Sequence, residues 1–178
     1  GDSSKTIGYM KTSSTGDKLA IAQWSSGSFV EIFDFDDATG IISNPIKLEN
    51  VFYPGAQNGA YGLEFSPNAE LLYVSDLSFG SSIESTVHQF NITLGNQADI
   101  ENSDVILYQG SDIIGAIQLA VDEKLYLANT GNPFLDVIEF PNEIGTAATY
   151  LNQEINLQGR QSRFGLPTFI QSFFVGSI

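Results

Sequence analysis

The chain has no cysteine, one methionine, one tryptophan and one histidine in 178 residues. Without cysteine there is neither a disulfide framework nor a thiolate metal site. The lone His88 stands in an alternating strand and reads as a surface or packing residue. By count it is taken to exclude a multi-histidine metal centre and a triad. Positive charge is scarce as well: seven Lys and Arg face 21 Asp and Glu, a formal net charge of −14. A sequence-independent grip on nucleic acid needs clustered cations, so no nucleic-acid partner is expected. Electrostatic docking on anionic lipid is disfavoured for the same reason. No apolar run approaches the roughly 18 residues that span a bilayer, so no membrane insertion is expected. A Gly-x-Ser-x-Gly elbow, a phosphate loop and low-complexity segments are missing too. No cofactor is expected.

What the chain does have is aromatic and turn-rich: 13 Phe, seven Tyr and 17 Gly, with 42% hydrophobic residues. That composition fits a globular β protein. The stretch Tyr61–Asp76 reads as two strands around the turn Ser66-Pro67-Asn68, with Pro preset for the second turn position. It recurs at a spacing of 53: Gly62 with Gly115, and Leu19 with Leu72 and Leu125. A fixed period of this length in an all-β pattern predicts propeller blades. Each unit reads as four short strands in a meander. In the first, the strands are 7–10, 19–23, 29–35 and 41–48, with Pro45 marking the outer edge. The expected fold is all-β: a partial propeller of about three four-stranded antiparallel blades plus a leftover strand. The units span about 5–50, 59–110 and 113–158, with a closing strand at 165–174, in one domain over 1–178. Convincing helices are absent; 144–151 reads as one helical turn at most. Leu72 is expected in the core, facing the next blade, with Leu19 and Leu125 alike.

Four segments carry a family resemblance: Tyr61–Ser75, Val30–Ile46, Gly115–Asn129 and Gly159–Phe174. Together they resemble the propeller-like repeat region of secreted Bacteroidota surface proteins. Such proteins often carry PKD-like modules and a C-terminal sorting domain of the type IX secretion kind. The likeness covers nearly the whole chain and is most specific over 34–45 and 159–173. It implies a secreted or cell-surface location and further blades upstream, but no chemistry for any residue. Ser14-Thr15 and Val121 depart from it, standing where the family's turns carry Pro. The start Gly1-Asp2-Ser3-Ser4 reads as that of a mature or trimmed chain, without a signal peptide.

Candidate sites follow from residue type and place. Asp34, Asp36 and Asp37 could offer oxygens to a cation. The EF-hand spacing is not met, and a solvated hairpin turn is the favoured reading. Glu64 and Gln118 hold nearly the same repeat position, yet nothing marks out the carboxylate pair of a glycosidase. Arg160 and Arg163, the only arginines, are expected to pin the closing segment to acidic turns, with an anion clamp as the alternative. The loops between second and third strands carry Trp24, Phe79 and Phe134, and the connection between the first two blades adds Phe52 and Tyr53. These rings either form a binding platform or pack between blades. The favoured function is a non-catalytic extracellular binding or scaffolding module for a glycan or protein. The competing class is a propeller-type polysaccharide hydrolase or lyase, and a third is a pure spacer. An isolated arc is further expected to need its missing upstream blades or a second copy of itself as partner.

Overall fold

A computed structural model describes residues 7–25, 27–52, 57–79 and 84–167. Twelve strands in these residues form three four-stranded antiparallel sheets. The first holds β1 (Met10–Thr12), β2 (Lys18–Gln23), β3 (Phe29–Asp36) and β4 (Ile41–Leu48) in sequence order. The second holds β5 (Asn58–Phe65), β6 (Leu71–Ser78), β7 (Ser85–Asn91) and β8 (Val105–Gly110). The third holds β9 (Ile114–Leu119), β10 (Leu125–Asn129), β11 (Phe134–Ile138) and β12 (Tyr150–Asn156). Each sheet is thus a simple meander, a blade. Pro45 lies on the outermost strand β4, where its missing N–H costs no ladder bond.

Local chemistry explains the turns. In the second blade Ser66 Oγ accepts from the Leu71 amide at 2.9 Å and donates to Asn68 Oδ1 at 2.6 Å. Ala69 sits in the left-handed region, φ 60°, and the Ala69 amide reaches Ser66 O. The polar stretch after β7 is not all loop. A 3-10 turn at Ile92–Leu94 leads into a short helix, α1 (Gln97–Asn102). Asn96 caps α1 by accepting from the Asp99 amide, and Ile100 supplies a single buried contact. One large apolar residue in six leaves no amphipathic period to read, which is why the helix was invisible in the sequence. The turn expected at 144–151 is the 3-10 segment Gly145–Ala148.

The second blade lies between the other two. Its inner strand β5 touches β1 and β2 on one side and β9 on the other. Gly62 and Gly115 mark the closest approach. A Cβ on Gly62 would stand 2.3 Å from the Gly115 carbonyl oxygen, and one on Gly115 would stand 2.5 Å from that of Phe164. The repeated glycine therefore records the narrow centre of the arc. Ser75 Oγ links the two strands there, accepting from the Gly62 amide at 2.9 Å and donating to Gly115 O at 2.7 Å.

Two apolar cores fill the two interfaces. Between blades one and two lie Val30, Ile32 and Leu48 against Leu72, Val74 and Phe90. Between blades two and three lie Leu71, Tyr73 and Val87 against Leu125, Leu127 and Ile138. Leu72 is completely buried, as expected, but it faces the preceding blade, not the next. The residues turned to the next blade are its neighbours Leu71 and Tyr73. Strand alternation makes the distinction, since a slip of one residue changes face. The equivalent Leu19 is buried yet belongs to neither core. The closing strand expected at 165–174 falls mostly outside the described residues; Gly165–Pro167 form no strand.

Candidate functional site

The two ends of the arc differ. One end carries the turns between first and second strands and between third and fourth. The other carries the loops after β2, β6 and β10, together with the connections between blades.

At the loop end three aromatic rings form a row. Trp24 follows β2, Phe79 follows β6, and Phe164 lies in the segment after β12. Trp24 and Phe79 meet edge to face with centroids 5.6 Å apart and planes at 84°. Phe79 and Phe164 do the same at 5.5 Å and 71°. Trp24 Nε1 donates to Leu77 O at 2.9 Å, which fixes the indole on the second blade. Phe79 is 45% exposed and Phe164 37%, while Trp24 is half-buried. The Phe164 segment is held by its backbone. The Ala116 amide donates to Phe164 O at 2.8 Å, Gly131 N donates to Ser162 O, and Ser162 N donates to Asn132 O.

The sequence-level candidates divide accordingly. Trp24 and Phe79 are adjacent, on one end, and partly open. Phe134 is half-buried at the start of β11 and makes no ring contact with the row among the described residues; Phe164 takes the third place. Phe164 lies beside the inner strand β9 and not in a loop after a second strand, so aligning those loops did not reach it. Phe52 is buried against His88 and Phe90 and serves the core between the first two blades. Tyr53 lies outside the described residues. Arg160 and Arg163 are exposed and pair with no carboxylate among the described residues, so the expected ionic pinning is not what holds this segment there. The main-chain bonds to Asn132, Gly131 and Ala116 do that.

The three aspartates behave as turn residues. Asp36 accepts from the amides of Ala38 and Thr39. Asp34 accepts from Asn44 Nδ2 at 2.7 Å and Lys18 Nζ at 2.5 Å; these two donors hold its carboxyl below the usual range. Asp37 Oδ2 packs against Gly16 of the neighbouring turn. A groove of about 450 Å³ opens beside Asp34 and Asn44 and runs to Ile92 and Ile100 of the second blade.

At the turn end the chain satisfies itself. Lys11 on β1 donates to Glu64 Oε2 on β5 at 2.9 Å and to Gln118 Oε1 on β9 at 2.6 Å. Glu64 is fully buried and also accepts from the amides of Phe65 and Leu119. The sequence paired Glu64 with Gln118 but overlooked Lys11, although 11 and 64 are one repeat apart. Two other bonds join residues 53 apart, Trp24 to Leu77 and Ser14 Oγ to Pro67 O.

Two more polar clusters lie within single blades. His88 Nδ1 bonds Asp104 at 2.9 Å and His88 Nε2 bonds Thr86 Oγ1 at 2.7 Å. A triad needs only one imidazole, so the count of one histidine excludes a multi-histidine metal centre but not a triad. Geometry argues against catalysis instead. His88 is 3% exposed and stacked on Phe90. Thr86 sits inside the sheet, paired with Asp76 and Gln109, so ladder bonds occupy that stretch of backbone and no oxyanion donor stands free beside it. In the third blade Asp136 accepts from Tyr150 Oη at 2.5 Å and from the Gln153 amide at 2.8 Å. Asn129 Nδ2 lies within hydrogen-bond reach of both Asp136 and Asp112. A shared donor thus brings two carboxylates close together, the kind of pair a glycosidase needs. Asp136 is 0% exposed, however, so no substrate can touch it. Burial pushes its carboxyl above the ordinary 3.8 and the Tyr150 phenol far above its usual range.

No family model matches the chain, and no curated protein sequence does. Solved structures do match. The periplasmic gluconolactonase of Pseudomonas aeruginosa superposes with a TM-score of 0.54 at 13% identity, over 81% of this chain and 41% of that one. The fold is that of a β-propeller. A dipeptidyl aminopeptidase IV from Bacteroides ovatus matches at a TM-score of 0.44 and 14% identity, over 78% of this chain and 23% of that one. A eukaryotic initiation factor matches at 0.42 and 14%, over 76% and 30%. The chain thus spans less than half the length of each of these neighbours. Among the described residues no helix is long and apolar enough to cross a membrane.

Proposed function

We propose that the chain is a non-catalytic binding module, secreted or displayed at a cell surface, that holds a glycan at the loop end of its blades. The observation that carries this is the Trp24–Phe79–Phe164 row, with two of its rings more than a third exposed. Aromatic faces stack on the C–H surface of a sugar ring, and partly exposed rings in loops on a rigid sheet scaffold suit that use. Successive planes turn by 84° and 71°. Such rings make corners, not a flat plane. They suit one or two sugar units of a soluble chain better than the face of a crystalline polymer.

The enzyme reading loses ground on geometry. The carboxylates that lie close together include a fully buried Asp136, and the His88 relay is closed off by Phe52 and Phe90. The lactonase name belongs to the neighbour, and at 13% identity only the fold is shared. We further read the chain as part of a longer propeller whose other blades, or a second copy, complete the arc. Its coverage of 41% of the gluconolactonase chain supports this, as does Leu19, whose repeat position faces a preceding blade in the other two sheets. The test of the binding role is a glycan-array screen of the protein beside Trp24→Ala. Signals lost in the variant are expected; identical patterns remove the row from the site.

A further inference from the structure

The cations of this chain are sorted by type. All four described lysines hold a carboxylate: Lys11 with Glu64, Lys18 with Asp34, Lys47 with Glu49 and Lys124 with Glu139. Lys5 lies outside the described residues. Among the described residues the two arginines hold none, although carboxylates outnumber cations three to one and only Asp2 among the 21 acidic residues lies outside the described part. Chance pairing would favour arginine, whose planar fork fits a carboxylate with two bonds. Both arginines also sit at the loop end. The Arg160 amide donates to Leu157 O, the Leu157 amide donates to Pro133 O after β10, and Arg163 directly precedes Phe164 of the aromatic row.

Resting on the binding role proposed above, we infer that Arg160 and Arg163 select glycans carrying isolated uronate groups, one carboxylate beside a neutral sugar stacked on the rings. The net charge of −14 sets the other limit. It repels a densely charged polyanion at long range, while a single carboxylate meets the arginines inside the screening length of about 10 Å at 0.1 M salt.

The experiment is calorimetric titration of the full chain with three probes: xylotetraose, xylotetraose bearing one glucuronate branch, and tetragalacturonate. The branched probe is expected to bind about tenfold tighter than the neutral one, the scale of one well-made charged hydrogen-bond pair, and tighter than tetragalacturonate. Arg160→Gln with Arg163→Gln should erase that preference and leave the neutral probe unchanged. Both residues are exposed, so the fold should survive, which circular dichroism checks. Equal binding of branched and neutral probes, or a preference that survives the double variant, overturns the uronate inference and leaves the glycan role standing. Binding of none of the three probes overturns the uronate inference. If a broad glycan array is blank as well, the glycan role falls with it. A wild-type dimer that dissociates in the double variant, seen by light scattering, would assign the arginines to a second copy and overturn the inference too.

Discussion

The turn end and the loop end of this arc spend their polar groups in opposite ways. At the turn end one lysine satisfies a buried glutamate and a glutamine across three blades, and Glu64 has further amide partners. Each of these side chains is engaged within the protein. At the loop end the two arginines have no acidic partner among the described residues, and two of the three rings of the row are more than a third exposed. The same repeat supplies both ends. The inner strands converge, so a polar group there meets its own repeats. At the loop end the units meet instead through rings, Trp24 on Phe79 and Phe79 on Phe164. The contrast is consistent with the turn end holding the blades together and with the proposal that recognition belongs to the loop end.

The sharpest way to break the comparison is at Glu64. Glu64→Ala strands the mostly buried Lys11 without its counter-charge, and should cost about 3 to 5 kcal/mol of stability. Glu64→Gln, which keeps an acceptor, should cost less. Chemical denaturation of both variants measures this. A loss under ~1 kcal/mol for Glu64→Ala would show that the axial cluster does not hold the blades.

Next in size is a pair of leucines. Leu72→Ala should cost about 2 to 5 kcal/mol, since Leu72 is completely buried between two blades. Leu19→Ala should cost less in the same assay, because no blade among the described residues packs on it. Equal losses would mean that another segment already covers the first blade.

Trp24→Ala tests the loop end directly. Binding of any glycan detected on the array should weaken at least about tenfold, an aromatic contact being worth on the order of 0.5 to 1.5 kcal/mol beyond its burial. Stability should fall less than for Leu72→Ala, because the indole is only half-buried. The opposite ranking would make the row a packing device.

The smallest effect is a pH dependence. Burial raises the Asp136 carboxyl above 3.8, so the folded state binds its proton more tightly than the unfolded chain. Its stabilising contribution is then present below about pH 4 and lost as pH rises through the raised value. Asp136→Asn removes that titration. Relative to the variant, the wild type should therefore lose stability between pH 4 and 7 in parallel denaturation series. A difference that stays flat with pH would mean that the Tyr150 and Gln153 bonds fully compensate the burial.

Much of the fold could be read from local pattern. The strand Phe29–Asp36 alternates residue by residue, and the turn at Ser66–Asn68 carries its own Ser and Pro chemistry. Helix α1 could not be read, because one buried Ile100 leaves no periodicity and its cap lies in a run of polar residues. The site was half legible. Trp24 and Phe79 could be aligned by repeat, while Phe134 and Phe52 were drawn in by the same aromatic count and pack elsewhere.

By itself the sequence determined the repeat of 53, the four-strand plan of each blade and the two arginines amid carboxylates. These follow from side-chain period, turn residues and composition, all local or countable. Only the tertiary structure decided that Lys11 meets Glu64 and Gln118, that Asn129 stands between Asp112 and Asp136, and that Phe164 completes the aromatic row. Those contacts join residues from 7 to 107 positions apart. They depend on how closely the inner strands pack around the centre and on where the last segment crosses them. That curvature comes from the packing of whole sheets, and no stretch of the chain encodes it alone.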